Sequence, residues 1–167
     1  METVTTTQDD VSTLEVRAAT LEDILGVLEV EGSGYDFPWS EGVFNDCFKD
    51  NYIFLVLCHQ GHIVGYSVLS DIVGEAHLLN ICIHKAHQGK GLGKYLLNAA
   101  IKAALSKGCD SILLEVRVSN QTAKLMYESF GFSMIGCRKN YYPAKEGRED
   151  ALMYQLLLSD FLVDETV

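Results

Sequence analysis

One stretch narrows the folds open to this chain more than any other. An apolar run from Glu75 to Ile83 leads into a turn with glycines at Gly89, Gly91 and Gly93, then a helical pattern opening at Leu92. Gly108 stops that pattern, and Ser111 to Val116 is a second, almost wholly apolar run. Strand, turn, helix and strand at this spacing make a β-α-β crossover, so Leu78 to Ile83 and Ile112 to Val116 are expected to run parallel. A strand as apolar as Ser111 to Val116 is covered on both faces. The helix places Leu92, Tyr95, Leu96, Ala99 and Ala103 at i, i+3, i+4, i+7 and i+11, an apolar stripe expected to pack on the sheet. Ligands favour the carboxyl ends of parallel strands, and here that end carries the glycines.

The turn reads Gln88-Gly-Lys-Gly-Leu-Gly-Lys94. The first turn of a helix leaves N–H groups without intrahelical partners, and glycine has no Cβ to shield them. The helix dipole, Lys90 and Lys94 add positive charge, so a diphosphate suits the site. Two common nucleotide motifs are excluded. A Walker loop needs a glycine five before Gly93 and Ser or Thr after Lys94, where Gln88 and Tyr95 stand. The dinucleotide fingerprint needs a third glycine where Leu96 stands. A bare glycine turn with no ligand remains the alternative.

The other elements can be read in order. Leu14 to Ala18 reads as a first strand, and Thr20-Leu-Glu-Asp23 as a capping box opening a helix to about Val30, ended by Gly32-Ser-Gly34. The loop Tyr35-Asp-Phe-Pro-Trp-Ser40 leads to a short helix capped by Ser40. Tyr52 to Cys58, His62 to Asp71 and Glu75 to Ile83 form an antiparallel meander. Ser119-Asn120 caps a helix carrying Ala123, Met126, Tyr127 and Phe130, and two last strands fall near Ser133 to Asn140 and Ala151 to Leu158, joined by a long loop. These make a single α/β domain over residues 14–158 with a mixed, mostly antiparallel sheet, a polar flexible tail at 1–13 and a C-terminal tail at 159–167.

Composition excludes several classes of function. The 167 residues suit one domain, and a net charge of −10 disfavours nucleic acid while suiting a cationic partner. The cysteines, Cys47, Cys58, Cys82, Cys109 and Cys137, are odd in number and lack C-x-x-C spacing, as in a reduced, cytoplasmic protein. No basic leader precedes an apolar run, no run reaches membrane length, and the histidines lack ligand spacing, so neither secretion, membrane nor metal is expected. Two side chains invite chemistry. Glu115 ends an apolar strand, as a base or as an ion-pair partner of Arg117. Tyr127 lies on the apolar face of its helix, so its hydroxyl needs a partner.

With these residues on the page, a resemblance is visible. Gln88 to Gly93 is similar to the Q/R-x-x-G-x-G/A loop of the GNAT superfamily of N-acetyltransferases. Phe37-Pro-Trp-Ser40, Asn80-Ile-Cys-Ile83, Leu114-Glu-Val-Arg-Val-Ser-Asn120, Leu125-Met-Tyr-Glu-Ser-Phe-Gly-Phe132, Arg138-Lys-Asn-Tyr-Tyr-Pro143 and Gly147-Arg-Glu-Asp-Ala151 resemble its bacterial ribosomal-protein-alanine branch. The resemblance implies a sheet of about seven strands with one parallel pair and about four helices. It implies acetyl-CoA as co-substrate, with no metal, held by the backbone of Ile81, Cys82 and Ile83, by Gln88, Gly89, Lys90, Gly91, Leu92, Gly93 and Lys94, and by Asn120. Glu115 would be the general base and Tyr127 the acid, with Trp39, Tyr141 and Tyr142 toward the acceptor. The acceptor implied is a protein N-terminal amine, alanine of a small-subunit ribosomal protein, ahead of a polyamine, another small amine or a lysine side chain. A non-catalytic acetyl-CoA-binding module would keep the fold without the chemistry. The chain departs from the branch at Gly89, where a bulky or basic residue is common, though Lys85 and Lys90 could replace that charge.

Overall fold

The computed structural model describes residues 13–164; the N-terminal tail expected over residues 1–13 lies outside them except for Thr13. Seven strands form one sheet in the order β1-β2-β3-β4-β5-β7-β6. They are β1 (Leu14–Ala18), β2 (Tyr52–His59), β3 (His62–Ile72), β4 (Glu75–Ile83), β5 (Ser111–Arg117), β6 (Ser133–Pro143) and β7 (Arg148–Leu157). Every neighbouring pair is antiparallel except β4 and β5, which run parallel as the crossover requires.

Helices cover both faces. On one side α1 (Ile24–Gly34) and α2 (Glu41–Asp46) pack over Phe54, Val56, Tyr66 and Val68, with Phe44 edge-on to Tyr66 at 5.2 Å between centroids. On the other, α3 (Leu92–Ser106) and α4 (Gln121–Ser129) cover Leu69, Leu78, Ile112, Leu114 and Val116. The local signals act as written: Thr20 and Asp23 close a capping box, Ser40 accepts the Val43 N–H, and Asn120 accepts the Ala123 N–H at 3.1 Å.

Four expectations need correction. The buried stripe of α3 is Leu92, Leu96, Leu97, Ala100, Ile101 and Ala104, while Tyr95 is exposed; the inward face is rotated from the expected one. α1 runs through Gly32-Ser33 to Gly34, because Tyr35 N–H still finds the Glu31 carbonyl. The last two strands reach Pro143 and Arg148, leaving a tight turn instead of a long loop. Where a tail was expected from residue 159, α5 (Leu158–Asp164) follows β7, and Phe161, 9% exposed, joins the core.

Candidate active site

β4 and β5 pair only from Glu75–Ser111 to Leu78–Leu114, although β4 continues to Ile83 and β5 to Arg117. Beyond Leu78 the two strands share no ladder, which opens the sheet at the carboxyl ends of its parallel pair. β4 carries an extra residue there: Val68 opposes Asn80 and Leu69 opposes Leu78, so Leu79 is bulged out. Bulges re-aim a strand, and this one lies at the point of separation. On the edge of β4 the carbonyls of Ile81 and Ile83 accept from Tyr35 Oη at 2.7 Å and Gln88 Nε2 at 3.0 Å. Backbone groups alternate along a strand, so both carbonyls are aimed away from β3.

The glycine turn follows. Gly91 caps α3 with φ +80°, and a Cβ at Gly89 or Gly91 would meet nothing within 4 Å. No side chain caps α3, so its first N–H groups are open to an anion, with Lys90 and Lys94 exposed beside them. Gly93 answers to packing instead: a Cβ there would lie 3.3 Å from Met126 Sδ, so glycine lets α3 approach α4. An open helix start and bare turn backbone suit a diphosphate arm, and the residues present therefore fit coenzyme A.

Glu115 and Tyr127 flank the opening from opposite faces of the sheet. Ile112, Leu114 and Val116 point into the α3–α4 core with Tyr127, so Glu115, alternate to them, points to the other face. Tyr127 is 6% exposed, its ring is 5.6 Å from that of Phe132, and burial raises its pKa. The carboxylate of Glu115 has His77 Nε2 at 3.3 Å and Arg138 Nε at 3.7 Å. Arg117, its expected partner, bonds Glu149 at 3.0 Å and the Pro143 carbonyl at 2.9 Å, and lies 4.5 Å over the Tyr142 ring.

A cleft of about 490 Å³ adjoins this face, between Tyr35, Asp36 and Phe37 on one side and Pro143, Ala144 and Lys145 on the other, with Arg117 and Asn120 at its base. Tyr142 is half-buried, with its pKa pushed up to about 12 by burial and by Glu115, and Tyr141 stacks edge-on at 4.9 Å. Trp39 is turned away, with its ring 5.3 Å from Phe44 and packed against the α1–α2 core, so the aromatics of this loop that line the cleft are Tyr35 and Phe37. Cys82 is buried with its thiol pushed up to about 12 by desolvation first and Glu31 second, which leaves it un-ionised.

The sequence reading missed Glu31, Tyr35, His77, Arg138 and Glu149. Glu31, 1% exposed, accepts from Trp39 N–H at 3.1 Å, from Asn80 Nδ2 at 3.1 Å and from the Tyr66 hydroxyl. A glutamate within the apolar run of α1 was the available signal.

Known proteins share this architecture. The acetyltransferase (GNAT) family model matches residues 19–132. The chain belongs to the acetyltransferase (GNAT) family. It is 35% identical over 137 residues to the ribosomal protein bS18-alanine N-acetyltransferase of Escherichia coli, which covers 82% of this chain and 93% of that protein. The crystal structure of the Escherichia coli ribosomal-protein-S18-alanine N-acetyltransferase superposes with a TM-score of 0.84 at 32% identity, covering 87% and 94% of the two chains. A spermidine/spermine N-acetyltransferase from Vibrio cholerae superposes with a TM-score of 0.78 at 25% identity, covering 92% and 97%. Among the described residues of this acetyltransferase no cluster of ligating side chains could hold a metal, and no helix is long and apolar enough to cross a membrane.

Proposed function

We propose that this enzyme acetylates the α-amine at a protein N-terminus, with N-terminal alanine of a small-subunit ribosomal protein as its acceptor in the cytoplasm. The observation that supports the reading is that Glu115, beside His77 and Arg138, and Tyr127 lie on opposite faces of the sheet where β4 and β5 part. The likeness to the bS18-alanine enzyme, at higher identity than to the polyamine enzyme, supports the α-amine over a polyamine. Five unpaired thiols fit a reducing compartment.

Acetyl-CoA supplies the acyl group as a thioester. The edge of β4 at Ile81 and Ile83, the turn Gly89 to Lys94, and Asn120 would hold it. Glu115 takes the ammonium proton, directly or through water; an α-amine, with a pKa of roughly 7.7–8.0, needs only modest help. A lysine amine near about 10.4 asks for more. His77 and Arg138 fix the orientation of the Glu115 carboxylate from two sides. Tyr127 is protonated at neutral pH, burial moving its pKa still further above the ordinary value, and it serves as the donor to the departing sulfur. With Cys82 un-ionised, direct attack of the amine needs no enzyme-bound acyl group.

Replacing Glu115 by Gln or Tyr127 by Phe is expected to lower kcat by ~10²-fold or more. Acetyl-CoA affinity by calorimetry should stay within about twofold, because neither change touches the turn. Unchanged turnover in both variants would remove Glu115 and Tyr127 from the mechanism, whereas acetyl-CoA binding with no acetylation by the wild type would leave a binding module. Mass spectrometry on peptides with free and blocked N-termini separates acceptors: equal acetylation of blocked, lysine-containing peptides would sink the α-amine assignment.

A further inference from the structure

Tyr35 stands between two clefts. It lines the 490 Å³ acceptor cleft and also a 250 Å³ cleft bounded by Ser33, Lys85 and Gln88. Its backbone leaves α1 in an extended conformation, φ −124° and ψ 137°, and its side chain reaches across to β4, where Oη donates to the Ile81 carbonyl at 2.7 Å. The residue as a whole is 39% exposed, yet desolvation raises the pKa of its hydroxyl well above the ordinary value. The phenol is therefore wet along one flank and sealed at its tip.

The partition is also fixed in place. Glu31, one turn earlier, ties the loop at Trp39 N–H to β3 and β4 through Tyr66 and Asn80. Ser33 Oγ accepts the Lys85 N–H at 3.1 Å. A Cβ on Gly34 would lie 3.0 Å from Cys82 Sγ, so glycine lets the end of the helix sit close against the strand. An amine reaching the edge of β4 through the larger cleft brings its own first side chain beside this ring. A methyl or hydroxymethyl group needs little space there, whereas a leucine or methionine side chain has to displace a phenol held at both ends.

We propose that Tyr35 walls the pocket for the acceptor's first residue and restricts this enzyme to small N-terminal side chains. The proposal rests on the α-amine reading above. The test compares kcat/KM for peptides identical except for Ala, Ser, Leu or Met at the first position, in the wild type, Tyr35→Ala, Tyr35→Val and Tyr35→Phe. The wild type should prefer Ala over Leu by ~10-fold or more, the scale on which added methylenes are discriminated. Tyr35→Ala and Tyr35→Val should cut that ratio at least ~10-fold by gaining rate on Leu and Met. Tyr35→Phe, which keeps the ring, should preserve the ratio. An unchanged ratio in both truncations overturns the proposal, as does loss of the ratio in Tyr35→Phe. If the wild type modifies only blocked peptides or polyamines, the α-amine reading itself fails, a result distinct from any change in ratio.

Discussion

Glu31 and Asp23 are both buried carboxylates, and their surroundings drive them in opposite directions. Asp23 faces the Arg17 guanidinium through paired contacts of 2.7 and 2.8 Å, and that bond lowers its pKa to about 2. Its stabilisation is present above the ordinary value of 3.8 and disappears as pH falls through about 2. Glu31 has donors but no cation, and burial outweighs the Trp39 and Asn80 hydrogen bonds, so its pKa is raised above 4.5. The stability linked to Glu31 is present below 4.5 and is lost as pH rises through the raised value. Glu31→Gln is neutral and of the same shape, and the Asn80 amide can flip to meet it. Its stability relative to wild type should therefore improve as pH rises from about 4 to 8. Asp23→Asn should show the reverse, its deficit shrinking from pH 4 to pH 2. Urea denaturation across this range checks both, and parallel pH curves for wild type and Glu31→Gln would mean that Glu31 stays ionised without penalty.

The β6–β7 hairpin shows how an element aims side chains at the site. The register shifts between Arg138 and Tyr142, and Asn140 sits in the left-handed region at φ 53°. Asp150 accepts the Asn140 N–H at 2.8 Å, while Arg148 donates to the Asn140 and Tyr141 carbonyls at 2.7 and 2.8 Å. The Arg-Glu-Asp run thus builds the bulge that presents Tyr141 and Tyr142, with Glu149 holding Arg117 and the Ser119 N–H. Arg148 is exposed, so Arg148→Ala should cost stability only about 1 kcal/mol or less. The acceptor KM should rise several-fold at unchanged acetyl-CoA affinity, and a steady-state comparison of the two substrates tests it. This split also marks what sequence could convey. The glycine turn, the Asn120 cap and the place of Glu115 near the end of its strand were legible because strand and helix periods and local caps are written in neighbouring residues. The face of α3 was legible only in part: Lys94, Asn98 and Lys102 mark one polar stripe, but the apolar and small residues beside it span a broad arc, and only contact with β2, β3 and β4 selects Leu97, Ala100 and Ile101 over Tyr95 and Ala99. His77 beside Glu115 depends on parallel register between distant segments, and the destination of Trp39 on the packing of α2.

At the scale of the molecule, one sheet separates two cores, and the active-site opening is where the sheet connects its two sides. On the reading proposed above, the cofactor turn lies at the start of α3 and the acceptor enters by the cleft beside Tyr35 and Phe37, so the two substrates approach the same charged body from different sides. Net charge is −10, while inside the cleft Arg117 is paired with Glu149, and Asp36 and Lys145 stand on opposing walls. Local contacts are thus nearly balanced, and the long-range field is what distinguishes a basic acceptor from a neutral one. Such a field acts through solvent and is screened within about 8–10 Å at ~0.1–0.15 M salt. Raising salt from ~0.05 to ~0.5 M should lower kcat/KM several-fold for a basic peptide and leave a neutral peptide with the same first residue nearly flat. Acetyl-CoA is itself anionic and should respond in the opposite sense, its affinity suffering least at high salt unless Lys85, Lys90 and Lys94 dominate at short range. If both peptides respond alike, the acidic surface serves solubility alone, and acceptor choice rests on the cleft and the wall at Tyr35.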